Sequence, residues 1–287
     1  MSEGEVKDQV RQFYNQVGWQ QVEGGVYQNA RYEDLRPVAR EYIHRCHLRV
    51  NRHLKAEGRF LLDAGSGPVQ YVEYLTYSHG YQRRVCLDLS IVALQEARKR
   101  LGAHGVYVVA DVSRLPFRAD AFDGVVSLHT LHHLPLQDQP RAYDEIQRVL
   151  AADGSAVIVN GWTESRLMRR CQPWVRLMER LGTWVARRRG KGTPEASTAA
   201  RAAAKPADPT GTFVRKLDAD WLRQEVGSRM PLEIRVWRSV SVRWLRALMH
   251  TALGGKYCLR LLYWMEERWP KYFGENGQYP LVIVRKA

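Results

Sequence analysis

Cysteine is scarce. The 287-residue chain holds four, Cys46, Cys86, Cys171 and Cys258, and no two are spaced as C-x-x-C. That excludes a disulfide scaffold, argues against a zinc module and fits a reducing cytoplasm. Long hydrophobic runs are missing too: none approaches the roughly 18 residues that a membrane span needs. Residues Met1 to Glu5 are polar and acidic, so no signal peptide is expected. Acid is short in one part only. Residues 1–160 carry 19 basic and 19 acidic side chains, whereas residues 161–287 carry 25 and 11 and so hold the whole net charge of +14. A neutral engine with a basic attachment that can meet an anionic partner suits this asymmetry. Apolar matter is not short: 45% hydrophobic and 26% charged residues make a globular composition able to bury a core.

Residues 5–58 read mostly as helix, an N-terminal cap. Beyond them, strand and helix patterns alternate. Strands are expected at 59–63, 84–89, 106–110, 122–128 and 154–160, the last after an Asp153-Gly154 turn, and helices at 69–78, 91–101 and 141–150. Alternation of this kind builds βαβ units and a parallel sheet. Residues 165–190 form a basic helical stretch in which Pro173 is expected to mark a helix start. Residues 190–211 lack aromatic and large aliphatic side chains and read as a linker or lid loop. A short helix at 218–225, a strand at 232–240, amphipathic helix over 241–270 broken at Gly254-Gly255, and a closing strand at 279–285 complete the chain.

The chemistry concentrates at strand ends, where ligands bind in open α/β sheets. Asp63-Ala64-Gly65-Ser66-Gly67 joins a strand to a helix through a turn whose glycines allow close backbone approach. A dinucleotide fingerprint would need a glycine at position 70, where Gln70 stands. An acid followed by x-G-x-G instead suits S-adenosylmethionine. Asp88 ends the second strand, where a carboxylate can accept from both hydroxyls of a ribose. Asp111 ends the third and can accept from an adenine amine, with Leu89 and Val112 as apolar walls. Leu128 and then His129, His132 and His133 end the fourth, where a transferable group would lie.

This ordered series resembles the class I S-adenosylmethionine-dependent methyltransferases of type 11, in the subgroup of the ubiquinone and menaquinone C-methyltransferases. The likeness rests on Asp63-x-Gly65-x-Gly67, Asp88, Asp111-x-x-x-Leu115-Pro116-Phe117 and Phe122-Asp123-x-Val125 with its histidine-rich continuation, and covers about residues 55–162. It implies a Rossmann-like, doubly wound, seven-stranded α/β sheet, with an N-terminal helical cap and a C-terminal helical lid inserted before the last strands. The corresponding division is a cap at 1–58, a cofactor-binding core at 59–162, a basic lid and linker at 163–230, and closing strands with a helical insertion at 231–287. It also implies S-adenosylmethionine as cofactor, S-adenosylhomocysteine as product, and Asp63 and Gly65 facing the methionine end, Asp88 the ribose and Asp111 the adenine. Val69 departs from the pattern, standing after Pro68 where a third glycine is usual.

Methyl transfer would then pass to an oxygen, nitrogen or carbon atom of a small-molecule, lipid or glycoconjugate acceptor. His129, His132 and His133 are the candidates for a general base, and Tyr14 for an aromatic closing over the cofactor. The i, i+4 pair His129 and His133 lacks the carboxylate-rich company of a metal site, so no metal is expected. No N/D-P-P-Y motif and no Pro-Cys pair are present, so nucleic-acid bases are the less favoured acceptors. In 166–191, nine basic residues face a single acid, Glu179, and Leu167, Cys171, Trp174, Met178, Leu181 and Val185 repeat at helical spacing. Three readings stay open for this stretch: a lid burying that stripe on the domain, a face peripheral to an anionic membrane, or a surface for an anionic substrate or nucleic acid. Trp244, Trp264 and Trp269 are candidate walls of a hydrophobic acceptor pocket. The rival functions are a cofactor-binding scaffold without transferase activity and an RNA methyltransferase using the basic half.

Overall fold

The computed structural model describes residues 3–13, 15, 21–22, 26–27, 33–163, 165–188 and 217–286. Tyr14 and the low-complexity stretch 190–211 lie outside the described residues. Seven strands form the main sheet: β1 (Gly58–Ala64), β2 (Tyr81–Asp88), β3 (Gly105–Val109), β4 (Phe122–Leu128), β5 (Leu150–Val159), β6 (Leu232–Arg238) and β7 (Tyr279–Arg285). Their order is β3-β2-β1-β4-β5-β7-β6, with β1 to β5 parallel and β7 antiparallel to both neighbours. Both faces are covered, and buried apolar runs such as Leu61-Leu62 in β1, Val85-Cys86-Leu87 in β2 and Ala156–Val159 in β5 reflect this. Alternate residues enter two different cores. Leu62, Val125, Ile158 and Val284 point into one and Leu61, Val126, Val157 and Ile283 into the other.

The helices are α1 (Glu3–Phe13), α2 (Pro37–Leu48), α3 (Val72–Leu75), α4 (Ile91–Leu101), α5 (Asp138–Val149), α6 (Arg166–Arg188), α7 (Ala219–Glu225), α8 (Val242–Leu248), α9 (Gly255–Arg268) and α10 (Pro270–Asn276). Local chemistry sets several of their starts. Ser90, Asp218 and Ser241 accept from the backbone N–H groups of Ala93, Trp221 and Trp244, and Pro37 opens α2. Helices α5 and α7 pack on one face of the sheet and α4 on the other. A third core joins α2, α8 and α9 to the end of β6. Its polar heart is Glu266, fully buried, which accepts from Tyr42 Oη at 2.6 Å, Arg49 Nη1 at 2.9 Å and the Ser239 backbone N–H at 2.9 Å. Arg49 also donates to the Trp237 carbonyl at 2.7 Å, so this network holds the last residues of β6 in place.

Four expectations need correction. Pro173 lies inside α6 rather than at a helix start. Pro173 brings no backbone N–H to the helical ladder, and it is exposed, so water can reach the helix there. The Asp153-Gly154 turn is a bulge within a longer strand: opposite Phe122 and Gly124 of β4, β5 jumps from Leu150 to Ser155, and Asp153 takes a φ of 60°. The stripe on α6 is not buried as a lid. Trp174, Leu177, Leu181, Trp184 and Val185 are exposed, Cys171 and Met178 are half-buried, Val175 is buried, and Leu167 and Met168 pack against the third core. Trp264 and Trp269 are also exposed, and neither lines the main cavity; Trp244 packs in the third core.

Candidate active site

The strand order reverses beside β1, between β2 and β4, and a cavity of about 460 Å³ opens at the carboxyl ends of these strands. Of the sequence candidates, Asp63, Gly65, Ser66, Gly67, Asp88, Leu89, Asp111, Val112, Leu128, His129, His132 and His133 all line it. Ala64 does not: it is fully buried beneath the turn, its carbonyl accepting from Ser127 Oγ at 2.7 Å.

The glycine turn is built from left-handed residues. Gly65 has a φ of 78° and Gly67 of 53°, and a Cβ on Gly65 would stand 2.2 Å from Thr130 side-chain atoms. The backbone N–H groups of Gly65 and Ser66 donate to the Leu87 carbonyl, at 2.7 and 3.1 Å. Val69 also adopts a left-handed φ, 53°, where a glycine is usual. Its carbonyl and that of Gln70 accept from Arg100 Nη1 at 3.0 and 2.9 Å, which pins the strained segment from α4.

Each acid has a different setting. Asp88 accepts from the N–H groups of Gly67 and Ser90 at 2.9 and 2.8 Å. Burial pushes its carboxyl up to about 6, against the pull of these N–H groups. Asp63 is buried and ion-paired with Arg84, which approaches through Nε at 3.1 Å and through Nη2. Burial raises the Asp63 carboxyl and Arg84 opposes the rise. Asp111 Oδ1 accepts from the Ser113 N–H and hydroxyl, both at 2.8 Å, and its Oδ2 meets Lys7 Nζ at 2.6 Å. Lys7 also reaches Asp138 at 2.6 Å. Burial would raise the Asp111 carboxyl, but Lys7 and Ser113 outweigh it and hold it below the usual range. Lys7, Val10 and Phe13 thus bring α1 onto the cavity beside Asp111.

On the other side of the switch point lie the histidines. His129 has a φ of 55°, uncommon for a residue with a side chain. Its ring packs edge-on against Trp237 and Tyr279, with centroids at 5.0 and 5.6 Å. His132 Nδ1 lies 3.3 Å from Asn160 Oδ1. A tautomer donating there leaves Nε2 as the basic nitrogen.

Sequence reasoning missed Lys7, Glu33, Gln70, Tyr71, Thr130, Arg238 and Tyr279, which also line the cavity. Arg238 and Tyr279 belong to β6 and β7, and Lys7 to α1, segments without a recognisable motif. The sheet order was the one available signal for the first two, because it brings the end of β6 and the start of β7 to the same edge as the other strand ends.

Residues 62–158 match the methyltransferase type 11 family, described as "Methyltransferase domain". A malonyl-acyl-carrier-protein O-methyltransferase of Legionella pneumophila is 30% identical over 125 residues, 43% of this chain and 43% of that protein. The geranyl diphosphate C-methyltransferase of Streptomyces coelicolor superposes with a TM-score of 0.55 at 15% identity, over 98% of either chain. Phosphoethanolamine N-methyltransferase 1 of Haemonchus contortus superposes with a TM-score of 0.59 at 11% identity, over 100% of this chain and 50% of that one. At such identities the solved structures speak to the fold. The chain spans less than half the length of the curated relatives it matches.

Proposed function

Residues 62–158 are a type 11 methyltransferase domain set in the class I S-adenosylmethionine-dependent methyltransferase fold, and on that premise we propose that the chain transfers a methyl group from S-adenosylmethionine to a small-molecule or lipid-like acceptor. The observation that carries this reading is the Asp88 carboxylate, held by the Gly67 N–H and facing the cavity beneath a glycine turn with no room for a Cβ. The cavity volume falls within the roughly 300–1,000 Å³ of small-ligand sites. Asp88 would accept from the ribose hydroxyls, Leu89 and Val112 would flank the adenine, and Asp111 would face its amine. Asp63, already neutralised by Arg84, would act mainly by setting the turn.

Bound S-adenosylmethionine supplies an electrophilic methyl group on a sulfonium. The protein's own part is then to orient the acceptor and exclude water. Tyr71 and Tyr279 supply apolar lining to the cavity, and the buried Trp237 backs the His129 ring. His132, with its Nδ1 turned to Asn160, can take a proton from an oxygen or nitrogen acceptor at Nε2.

The acceptor belongs among hydrophobic or membrane-associated molecules. The exposed Trp174 and Trp184 of α6, 65% and 51% accessible, lie among seven arginines and support an anionic bilayer as this helix's partner. Among the described residues no helix is long and apolar enough to cross a membrane, so the contact would be peripheral. All four cysteines are unpaired, which supports a reducing compartment.

Calorimetric titration of S-adenosylmethionine into the protein and into Asp88→Ala tests the central reading. Loss of one charge-assisted contact is expected to cost about 1.5–3 kcal/mol, or about tenfold or more in affinity. Absence of wild-type binding in folded protein would move the scaffold reading ahead.

A further inference from the structure

Arg238 ends β6 with only 2% of its surface exposed, yet it lines the cavity. Its Nη1 donates to Glu33, while its Nε is buried without a hydrogen-bond partner. A buried guanidinium N–H left in this state costs as much as a lost hydrogen bond, so native structures rarely leave one unless something else completes it. Nη1 lies on the far side of the guanidinium from the Nε–H. The contact with Glu33 therefore does not use the Nε edge, the fork that grips a carboxylate or phosphate with parallel donors.

The surroundings add to this. Glu33 is shared, because His47 Nε2 also approaches it at 3.3 Å. One carboxylate thus serves both a guanidinium and an imidazole. The rings of Tyr279 and Trp237 lie with their centroids 4.6 and 5.1 Å from the guanidinium carbon and 5.8 Å from each other, so both pack against one side of it. The site lies across the switch point from Asp88 and Asp111, on the side where the acceptor would sit, and a bound sulfonium would bring one more positive charge.

We propose that Arg238 is the specificity residue for the acceptor, gripping an oxyanion on it, a carboxylate or a phosphate, through its Nε edge. This rests on the methyltransferase reading of the same cavity. The oxyanion is an anchor held away from the reacting atom, because a guanidinium bonded to the nucleophile would withdraw the electron pair that attacks the methyl group. Glu33 is the positioning residue that orients the guanidinium through Nη1.

The test uses the full chain saturated with S-adenosylhomocysteine and three probes of similar size: benzoate, phenyl phosphate and uncharged benzamide. Binding is read by ligand-observed nuclear magnetic resonance and calorimetry. At least one anionic probe is expected to bind about tenfold or more tightly than benzamide, and the stronger of the two identifies carboxylate or phosphate as the natural group. Arg238→Gln alone would strand Glu33, so the main variant is the double substitution Arg238→Gln with Glu33→Gln, which removes both charges. It is expected to abolish the preference and leave S-adenosylhomocysteine affinity unchanged, while Arg238→Lys retains part of the preference. Anionic probes that bind no better than benzamide to a protein that holds S-adenosylhomocysteine would overturn the proposal alone. So would a preference that survives the double substitution. A folded protein that binds no S-adenosylhomocysteine would instead remove the methyltransferase reading and, with it, this proposal.

Discussion

Val69 shows two opposed effects at one residue. Its φ of 53° costs a β-branched side chain about 1–2 kcal/mol, yet that side chain is completely buried in the second core, which stabilises by about 1.5–3 kcal/mol. Replacement by glycine relieves the strain but loses the burial and adds backbone entropy of about 0.5–1 kcal/mol. Val69→Gly is therefore expected to lower stability by about 1–2 kcal/mol, seen as a melting temperature a few degrees lower, without weakening the cofactor. A higher melting temperature would show that strain outweighs burial. Asp88 makes a second prediction at this scale. Its folded pKa of about 6 lies above its ordinary value of 3.8, so the folded state binds the proton more tightly than the unfolded chain does. At neutral pH the ionised group opposes folding, and that penalty fades as pH falls through 6. In the role proposed for Asp88, cofactor binding would follow the other sign, because the ionised form would accept from the ribose hydroxyls. The affinity advantage of wild type over Asp88→Asn should be flat above about pH 7 and shrink about tenfold per unit below 6. A pH-independent advantage measured by calorimetry would remove Asp88 from that role.

Among the elements, β6 and α9 depend on each other. The buried pair of Arg49, which directly follows α2, and Glu266 of α9 ties both helices to Trp237 and Ser239 at the end of β6. Breaking one side of a buried pair leaves an uncompensated charge and typically costs about 3–5 kcal/mol. Glu266→Leu should lose about that much in urea unfolding. Since Ser239 and Trp237 flank Arg238, the histidine side of the cavity should loosen before the glycine turn does. Slowed hydrogen exchange at Ser239 in this variant would contradict the arrangement. Helix α1 is held differently. Its Lys7 meets both Asp111 and Asp138, and although burial would lower the Lys7 ammonium, these two carboxylates outweigh it and raise it. The acid read from the sequence as an adenine ligand is thus also the seat of an N-terminal helix.

Over the whole molecule, the basic excess of residues 161–287 is densest on α6, where seven arginines and one acid, Glu179, accompany an exposed aromatic and aliphatic stripe. Each basic residue near an anionic surface is worth about 1 kcal/mol, reduced by salt. The protein should sediment with phosphatidylglycerol vesicles at low salt and not with phosphatidylcholine vesicles, and the double variant Trp174→Ser, Trp184→Ser should shift most of it to the supernatant. No sedimentation at low salt would leave α6 without this role.

Much of this was legible in the sequence. The glycine turn, Asp88, Asp111, Leu128 and the three histidines all lie at strand ends, and strand ends follow from apolar periodicity and glycine placement within a few residues. The outer part of the site was not. Arg238 meets Glu33 across 205 positions and Lys7 meets Asp111 across 104, and nothing local in either segment signals its partner. Periodicity likewise grouped Trp174, Leu181 and Val185 on one side of α6 without saying whether anything covers them. The sequence alone determined the order of strands and helices and the turn that opens the cavity, because these depend on short-range sterics and on which side chains avoid water. Only the tertiary structure decided which charges are paired, which carboxylate is pushed up in pKa and which apolar face stays exposed, because burial and charge pairing depend on neighbours that arrive from distant parts of the chain.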